Sequence, residues 1–169
     1  GCADGTLRHA AAKGNQMDLI LWRHAEAEDA DDTVDDMARV LTPRGAKQAA
    51  RVASWLDRQL PDGTRILCSP AARCEQTVLA LGRKYKLSPE LAPHANLAQL
   101  LEVAQWPSSR NAVLIVGHQP VLGETIAHLL PLALPTCPVR KGMVWWLRTR
   151  ERDGRQQTVV TAVQSPETL

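Results

Sequence analysis

The stretch NAVLIVGH, residues 111–118, contains the clearest buried strand of the sequence. Its apolar run is unbroken from Ala112 to Val116, and strands covered on both faces have continuous rather than alternating hydrophobicity. Pro120 follows closely and predicts the first turn of a helix that ends near Leu130. A buried strand that leads directly into a helix is typical of an α/β domain.

Strand and helix patterns alternate along the rest of the chain. Besides the buried strand, extended segments are predicted at 18–22, within TRILCSP (64–70), weakly near 88–92, and in MVWWLRT (143–149) and QTVVTAV (157–163), a closing hairpin joined by RERDGRQ (150–156). Further helices are predicted at 43–60, about 70–84 and about 97–105. The first two begin where Thr42-Pro43 and Ser69-Pro70 combine an N-cap residue with proline in the first turn. We therefore predict a three-layer α/β/α fold with a mainly parallel central sheet and an antiparallel edge.

The length indicates one domain, since 169 residues are enough for a sizeable core. The formal net charge of +2 is close to balanced. The absence of a basic run argues against nucleic acid as a partner, and no stretch approaches the roughly twenty apolar residues of a membrane span. Residues 1–16 lack the apolar core of a signal peptide. Because Met17 stands directly before the first strand, we expect 1–16 to be a tail left from cloning and 17–169 to form a single domain.

The cysteines give no sign of a metal site or a disulfide framework. Cys2, Cys68, Cys74 and Cys137 have neither the spacing of metal ligands nor the density of a disulfide scaffold. We interpret Cys68 and Cys74 as small, reduced residues of a cytosolic protein. The sequence therefore predicts a cytoplasmic protein without a metal or another cofactor.

The tripeptide RHA occurs twice, at residues 8–10 and at residues 23–25. Only the second copy follows an apolar run of strand length, so only Arg23 and His24 are expected at the end of a rigid strand. The copy in the expected tail is interpreted as accidental.

Polar side chains follow three of the predicted strands. Arg23 and His24 end the first strand, SPAAR (69–73) follows the second, and His118 follows the buried strand. Because ligands of parallel α/β sheets bind beyond the carboxyl ends of the strands, these residues are expected to share one pocket, with no carboxylate fixed among them. Two of the loops lead into helix N-termini, which favour anions. The arrangement suits a phosphate dianion.

Four segments in this order, LILWRHAEA, LTPRGAKQA, CSPAARCEQT and VLIVGHQP, resemble the histidine phosphatase superfamily, also called phosphoglycerate mutase-like. The small size and the RHA form resemble its short phosphohistidine phosphatases of the SixA type, and the resemblance covers nearly all of 17–163. It implies that His24 is the nucleophile and is transiently phosphorylated. It also implies that Arg23, Arg73 and His118 hold the transferring phosphoryl group, on a mainly parallel sheet flanked by helices.

These residue types fit phosphoryl transfer without a metal. A neutral imidazole is a competent nucleophile near pH 7, and nearby arginine charges should keep His24 neutral. A backbone carbonyl is expected to accept from its other ring nitrogen and so fix the tautomer. Bidentate Arg23 and Arg73, with a donor from His118, would stabilise charge on the equatorial oxygens. Ser69 is a further predicted substrate-binding residue.

The loop ELAPHANLAQLLE, residues 90–102, departs from the family pattern, since relatives that act on phosphate esters usually carry a general-acid carboxylate there. No carboxylate lies between Glu90 and Glu102, and His94 and Asn96 are predicted to bind substrate instead. An alcohol leaving group normally needs a proton, whereas a phosphohistidine can release a neutral imidazole. We therefore predict a phosphatase that acts on phosphohistidine of a partner protein.

Alternatives remain open at this point. The chain could be a phosphomonoesterase for a small phosphorylated substrate, with Glu90, Glu102 or His94 as the acid, or an inactive phosphoprotein-binding module. A cysteine-dependent phosphatase would use Cys68, but only four residues separate it from the following arginine, where that chemistry needs five. The acidic segment 26–36 is interpreted as a solvated, mobile loop.

Overall fold

The computed structural model describes residues 16–169, in which six strands form one sheet in the order β3-β2-β4-β1-β5-β6. The strands are β1 (Gln16–Arg23), β2 (Arg65–Cys68), β3 (Lys86–Leu87), β4 (Val113–Gly117), β5 (Val144–Arg152) and β6 (Arg155–Gln164). The helices are α1 (Pro43–Gln59), α2 (Ala72–Leu79), α3 (Leu97–Val103) and α4 (Val121–Leu129), with short 3-10 turns at Asp36–Ala38 and Pro89–Leu91. The expected tail and the first RHA copy lie outside the described residues, except for Gln16, with which β1 begins.

The strand directions confirm the predicted sheet. β1, β4, β2 and β3 pair in parallel, whereas β1–β5 and β5–β6 are antiparallel. In the registers, Arg23 lies opposite Gly117 and Cys68 lies opposite Val116. The residues that follow β1, β2 and β4 therefore leave the sheet at the same edge.

Helices cover both faces of the sheet, as predicted. Trp22 of β1 packs in a buried cluster with Val52 of α1, whereas its neighbour Leu21 packs on the opposite face with Leu100 of α3 and Ile126 of α4. Alternate residues of one strand are thus buried on opposite faces. This double burial explains why the central strands have continuous apolar runs.

Of the two helix starts predicted at Thr42-Pro43 and Ser69-Pro70, only the first is confirmed. Thr42 caps α1, since its Oγ1 accepts a hydrogen bond from the Gly45 amide at 2.9 Å. The Ser69 prediction was wrong, because α2 begins only at Ala72 and the residue before it makes no side-chain cap. α2 also ends at Leu79 rather than near 84, ahead of a turn in which Gly82 has a φ of +71°.

The closing hairpin has a much shorter loop than predicted. β5 and β6 extend into the segment RERDGRQ and leave only Asp153 and Gly154 as the turn, with φ values of +51° and +74°. Such values suit the Asp-Gly pair, which is favoured where both central residues need a positive φ.

None of the helices within residues 16–169 combines the length and the hydrophobicity that crossing a membrane requires.

Candidate active site

His24 is fixed where β1 leaves the sheet. Its amide donates to the Gly117 carbonyl at 3.1 Å, and its carbonyl accepts from the Gly142 amide at 3.0 Å. The side chain is only 5% exposed, and its Nδ1 lies 2.8 Å from the Ala25 carbonyl oxygen. Because a carbonyl can only accept, Nδ1 carries the ring hydrogen and Nε2 keeps its lone pair. The expected backbone acceptor is therefore present, and Nε2 is the nucleophilic atom of the ring.

The segment before β5 is bound to the end of β1. The Arg23 amide donates to the Met143 carbonyl at 3.0 Å, and the buried Trp22 indole donates to the Gly142 carbonyl at 3.1 Å. The Arg23 guanidinium donates from Nη1 to the Val139 carbonyl at 2.9 Å. These contacts place Lys141 beside His24.

Arg73 comes from the first turn of α2 and is almost completely buried. Its Nη1 donates to the Asp36 carbonyl at 2.8 Å, and its Nη2 donates to the Asp36 carboxylate at 3.2 Å. The Nε atoms of Arg23 and Arg73 are both buried without an acceptor among the described residues. Each guanidinium therefore keeps hydrogen-bonding capacity that an anion could use.

His118 directly follows β4 and faces the other three residues. The rings of His24 and His118 have their centroids 5.4 Å apart. Nδ1 of His118 lies 3.5 Å from Nη2 of Arg73, and its Nε2 lies 2.7 Å from Oγ of Ser69. The structure thus brings Arg23, His24, Arg73 and His118 together, as their positions after the ends of three strands predicted.

A cavity of about 290 Å³ opens at this point. It is lined by Arg23, His24, Ala27, Arg39, Arg73, Pro93, His118, Gln119 and Lys141. Four of these side chains are cationic, and none of the described residues in the lining is a carboxylate. The lining is therefore suited to a small, strongly anionic group.

Both site histidines are neutral at neutral pH. Burial lowers the pKa of His24 to about 3, with further lowering by His118, Arg23 and Arg73, while the Ala25 carbonyl opposes the shift. Burial also lowers the pKa of His118 to about 4, assisted chiefly by the Arg73 charge. The prediction that His24 stays neutral agrees with this direction, but burial rather than arginine charge is the main cause.

Sequence reasoning missed a carboxylate next to the cavity. Asp36, at the end of the acidic segment, binds Arg73 and also accepts from Nε of Arg39 at 3.0 Å. At the other end of the segment, the Glu26 carboxylate accepts from Thr42 Oγ1 at 2.7 Å. The expectation that no carboxylate is fixed among the site residues was therefore wrong, although Asp36 does not line the cavity. Residues 28–36 are exposed, as predicted for a solvated loop, but hydrogen bonds of Glu26 and Asp36 fix both ends of the segment.

Three predicted substrate-binding residues are not in the lining of the cavity. Ser69 is fully buried and contacts His118 instead. Asn96 caps α3, because its Oδ1 accepts from the Gln99 amide at 2.9 Å and the Gln99 side chain accepts from the Asn96 amide at 3.0 Å. His94 is exposed, and the neighbouring Pro93 lines the cavity in its place.

The cavity lining also includes Gln119, Arg39 and Lys141, which were not predicted because little in the sequence around them indicates a binding role. Gln119 directly follows His118, and hydrogen bonds to the Gly123 amide at 2.7 Å and the Cys137 carbonyl at 3.0 Å fix its side chain. Arg39 and Lys141 stand in loops without any local pattern. Their position depends on contacts between segments that are distant in sequence.

The side chains that the alternative mechanisms would use lie outside the cavity lining. Glu90 and Glu102 are exposed and are absent from it. Cys68 is buried, burial raises the pKa of its thiol, and the thiol donates to the Ser69 carbonyl at 3.2 Å. A protonated, inward-facing thiol is a poor nucleophile.

Within residues 16–169, no group of three or more His, Cys, Asp or Glu side chains is arranged to hold a metal ion.

Known proteins are similar to this chain in both sequence and fold. The family described as "Histidine phosphatase superfamily (branch 1)" matches residues 19–98. Phosphohistidine phosphatase SixA of Escherichia coli (strain K12) is 31% identical over 127 residues, which cover 70% of this chain and 78% of that protein.

Solved structures extend the similarity over nearly the whole chain. A SixA-type structure from Nakamurella multipartitia has 30% identity and a TM-score of 0.73, covering 89% of this chain and 96% of that one. The protein histidine phosphatase SixA complexed with tungstate has 25% identity and a TM-score of 0.71, covering 90% of this chain and 99% of that one. With its own strands, helices and motif order in agreement, the chain belongs to the histidine phosphatase superfamily, in the branch of short SixA-type proteins.

Proposed function

We propose that the chain is a metal-independent phosphohistidine phosphatase that removes phosphate from a histidine of a partner protein through a transient phosphate on His24. One observation carries this proposal: the unprotonated Nε2 of His24 stands at a cavity lined by cations and by none of the described carboxylates. The similarity to proteins named phosphohistidine phosphatase SixA supports it.

In the first step, Nε2 of His24 forms a bond to phosphorus while the P–N bond of the substrate breaks. The leaving imidazole, which carries a proton on its distal nitrogen, departs as a neutral molecule. Arg23 and Arg73 bind the equatorial oxygens, where negative charge is concentrated during transfer. Because burial keeps His24 neutral, the attack needs no separate base.

In the second step, water attacks the phosphate on Nε2. Nδ1 still carries its hydrogen, which the Ala25 carbonyl accepts at 2.8 Å. The His24 ring therefore also leaves as a neutral imidazole, and the water proton passes to the released phosphate or to solvent. The same carbonyl contact serves both steps.

The lining favours a P–N bond over a phosphate ester as the bond that breaks. An alkoxide leaving group requires a proton donor within reach. Asp36, a carboxylate that contacts two side chains of the lining, accepts hydrogen bonds from Arg73 and Arg39. Burial alone would raise its pKa, but hydrogen bonds and charges from these two arginines lower the pKa below its usual value. Asp36 is therefore ionised near neutral pH and is a poor acid.

The first experiment traps the intermediate. The protein is mixed with a partner protein carrying ³²P-phosphohistidine and is quenched in alkali, in which phosphohistidine survives. We expect label on the wild type and on His128→Ala, a control that removes an exposed histidine of α4, but none on His24→Ala. Equal labelling of His24→Ala would exclude the nucleophile, and binding without any label or turnover would indicate a binding module.

The second experiment compares substrates at equal concentration. A phosphohistidine protein, free phosphohistidine and several phosphate monoesters are assayed for released phosphate. We expect kcat/KM to be greatest for the phosphohistidine protein. A clear preference for the esters would refute the proposed substrate and favour a small-molecule phosphomonoesterase of the same superfamily.

A further inference from the structure

Ser69 contacts His118 but has no role in the reaction steps proposed above. Its side chain is fully buried, its Oγ lies 2.7 Å from Nε2 of His118, and it accepts from the Ala71 amide at 3.3 Å. We infer that Ser69 is a positioning residue: it donates to Nε2 of His118, holds the ring hydrogen on Nδ1, and so makes His118 a donor to the phosphoryl group. This inference rests on the proposed function for its catalytic consequence, though not for the tautomer itself.

A count of hydrogens supports this direction of donation. The Ala71 amide occupies one lone pair of Ser69 Oγ, so the hydroxyl hydrogen needs an acceptor elsewhere. Among the described residues, Nε2 of His118 is the nitrogen acceptor beside it at 2.7 Å, and the Cys74 thiol, whose sulfur lies 3.4 Å from the same Nε2, is the other group within reach. If Nε2 carried the hydrogen instead, it would donate to Ser69 Oγ, and the hydroxyl hydrogen would have to turn to the Cys74 sulfur, which is a weak acceptor.

The opposite tautomer has one weaker contact in its favour. Nη2 of Arg73 lies 3.5 Å from Nδ1 of His118, and a guanidinium can only donate. That distance is at the limit of a hydrogen bond, and Nη2 already donates to Asp36 at 3.2 Å. The contact of 2.7 Å with Ser69 is much shorter, so the direction of donation that the hydrogen count favours there outweighs the Arg73 contact.

The preferred tautomer leaves two donors directed at each other. With hydrogen on Nδ1, His118 and Nη2 of Arg73 are two donors that stand 3.5 Å apart. One phosphoryl oxygen could accept from both. Because His118 is neutral at the working pH, its single ring hydrogen decides whether the phosphate meets a donor or a repelling lone pair. Ser69 controls that choice from outside the cavity.

Nitrogen-15 NMR reads the tautomer directly. Wild-type protein is measured at pH 7.5, free and saturated with inorganic phosphate, and the His118 signals are assigned by comparison with His118→Asn. We expect Nε2 in the range of an unprotonated nitrogen and Nδ1 in that of a protonated one. In Ser69→Ala the population should move toward the Nε2–H form.

Kinetics supply the catalytic arm of the test. Ser69→Ala should lower kcat on the phosphohistidine protein by about 10²-fold, the usual loss when one transition-state donor is removed, with a smaller change in KM. Ser69→Thr keeps the hydroxyl and should restore most of kcat and the wild-type tautomer. Thr125→Val removes an equally buried hydroxyl, which bonds the Val121 carbonyl within α4 at 2.8 Å, and should change neither quantity.

The outcomes separate this inference from the proposed function. An Nε2–H signal in phosphate-loaded wild type, or an unchanged tautomer and kcat in Ser69→Ala, would overturn the inference. A tautomer that depends on Ser69, in a protein that hydrolyses no phosphorylated substrate, would uphold the positioning and refute the enzyme. If Ser69→Ala does not fold, the wild-type spectrum decides alone.

Discussion

Acidification from pH 7 to pH 5 probes the burial of the two site histidines. In the unfolded chain a histidine titrates near its ordinary pKa of about 6.5. In the folded protein burial lowers the pKa of His24 to about 3 and that of His118 to about 4. The unfolded state therefore binds more protons throughout this range. Stability is complete above about pH 6.5 and declines as the pH falls, until the folded-state values are reached.

The expected loss in the free energy of unfolding follows from the same pKa values. At pH 5 an unfolded histidine is almost fully protonated, whereas each buried ring is still neutral. Because pH 5 lies about 1.5 units below the ordinary pKa, each histidine lowers the free energy of unfolding by about 2 kcal/mol, and the pair lowers it by about 4 kcal/mol. A domain is usually stable by only about 5–15 kcal/mol, so the loss should be large and easily measured.

Urea unfolding followed by tryptophan fluorescence provides the assay. The free energy of unfolding is measured at pH 5, 6 and 7 for wild type, for His118→Gln and for a double variant that also carries His24→Gln. We expect the loss between pH 7 and pH 5 to fall from about 4 to about 2 kcal/mol in the single variant, and to nearly vanish in the double variant. An equal loss in all three proteins would refute the assignment to these rings, and no loss in wild type would refute their burial as neutral groups.

Four further predictions test the surroundings of the site. Gly45→Ala should destabilise the fold by roughly 3 kcal/mol, because the added β-carbon would clash with the Glu26 carbonyl oxygen, although alanine ordinarily stabilises a helix by about 1 kcal/mol over glycine; a more stable variant in urea would contradict this packing. Cys68→Ser should leave kcat unchanged, and an inactive but folded variant would revive a thiol mechanism. Asp36→Asn should lower kcat/KM roughly fivefold, or about 1 kcal/mol, because the lost carboxylate helps to hold the buried Arg73; the effect is modest because this carboxylate is 52% exposed. An unchanged kcat/KM would show that the hydrogen bond from Arg73 to the Asp36 carbonyl is sufficient. Dialysis against EDTA should leave phosphate release unchanged, and a loss restored by a divalent cation would refute the proposed independence from metals.

The sheet and the meeting of the main site residues could be predicted from sequence because burial and direction constrain them strongly. A strand covered on both faces must be apolar at consecutive positions, and both β1 and β4 have this pattern. Parallel pairing then brings the residues after these strands to one edge. His24 and His118 needed no further information to be placed together.

The contacts that could not be predicted depend on competition between distant groups. Ser69-Pro70 has the local pattern of a helix cap, but the serine hydroxyl contacts His118, which is 49 positions away in sequence. Asp36 is one of several acidic residues in its segment, and only the packing of α2 against the neighbouring 3-10 turn selects it for Arg73. Lys141 reaches the cavity because backbone hydrogen bonds fix its loop to β1. No local pattern encodes these long-range contacts.

Burial of the histidines links the stability of the fold to the chemistry of the site. Desolvation of His24 opposes protonation, so the ring stays nucleophilic without a base, and the same desolvation makes the fold sensitive to acid. The cationic side chains of the cavity repel one another, and Asp36 offsets only part of that charge. A phosphoryl dianion would relieve the repulsion and would accept from guanidinium donors of Arg23 and Arg73 that have no acceptor within residues 16–169. The buried, mutually repelling groups that cost the fold stability are therefore those that a phosphoryl group in transfer would satisfy.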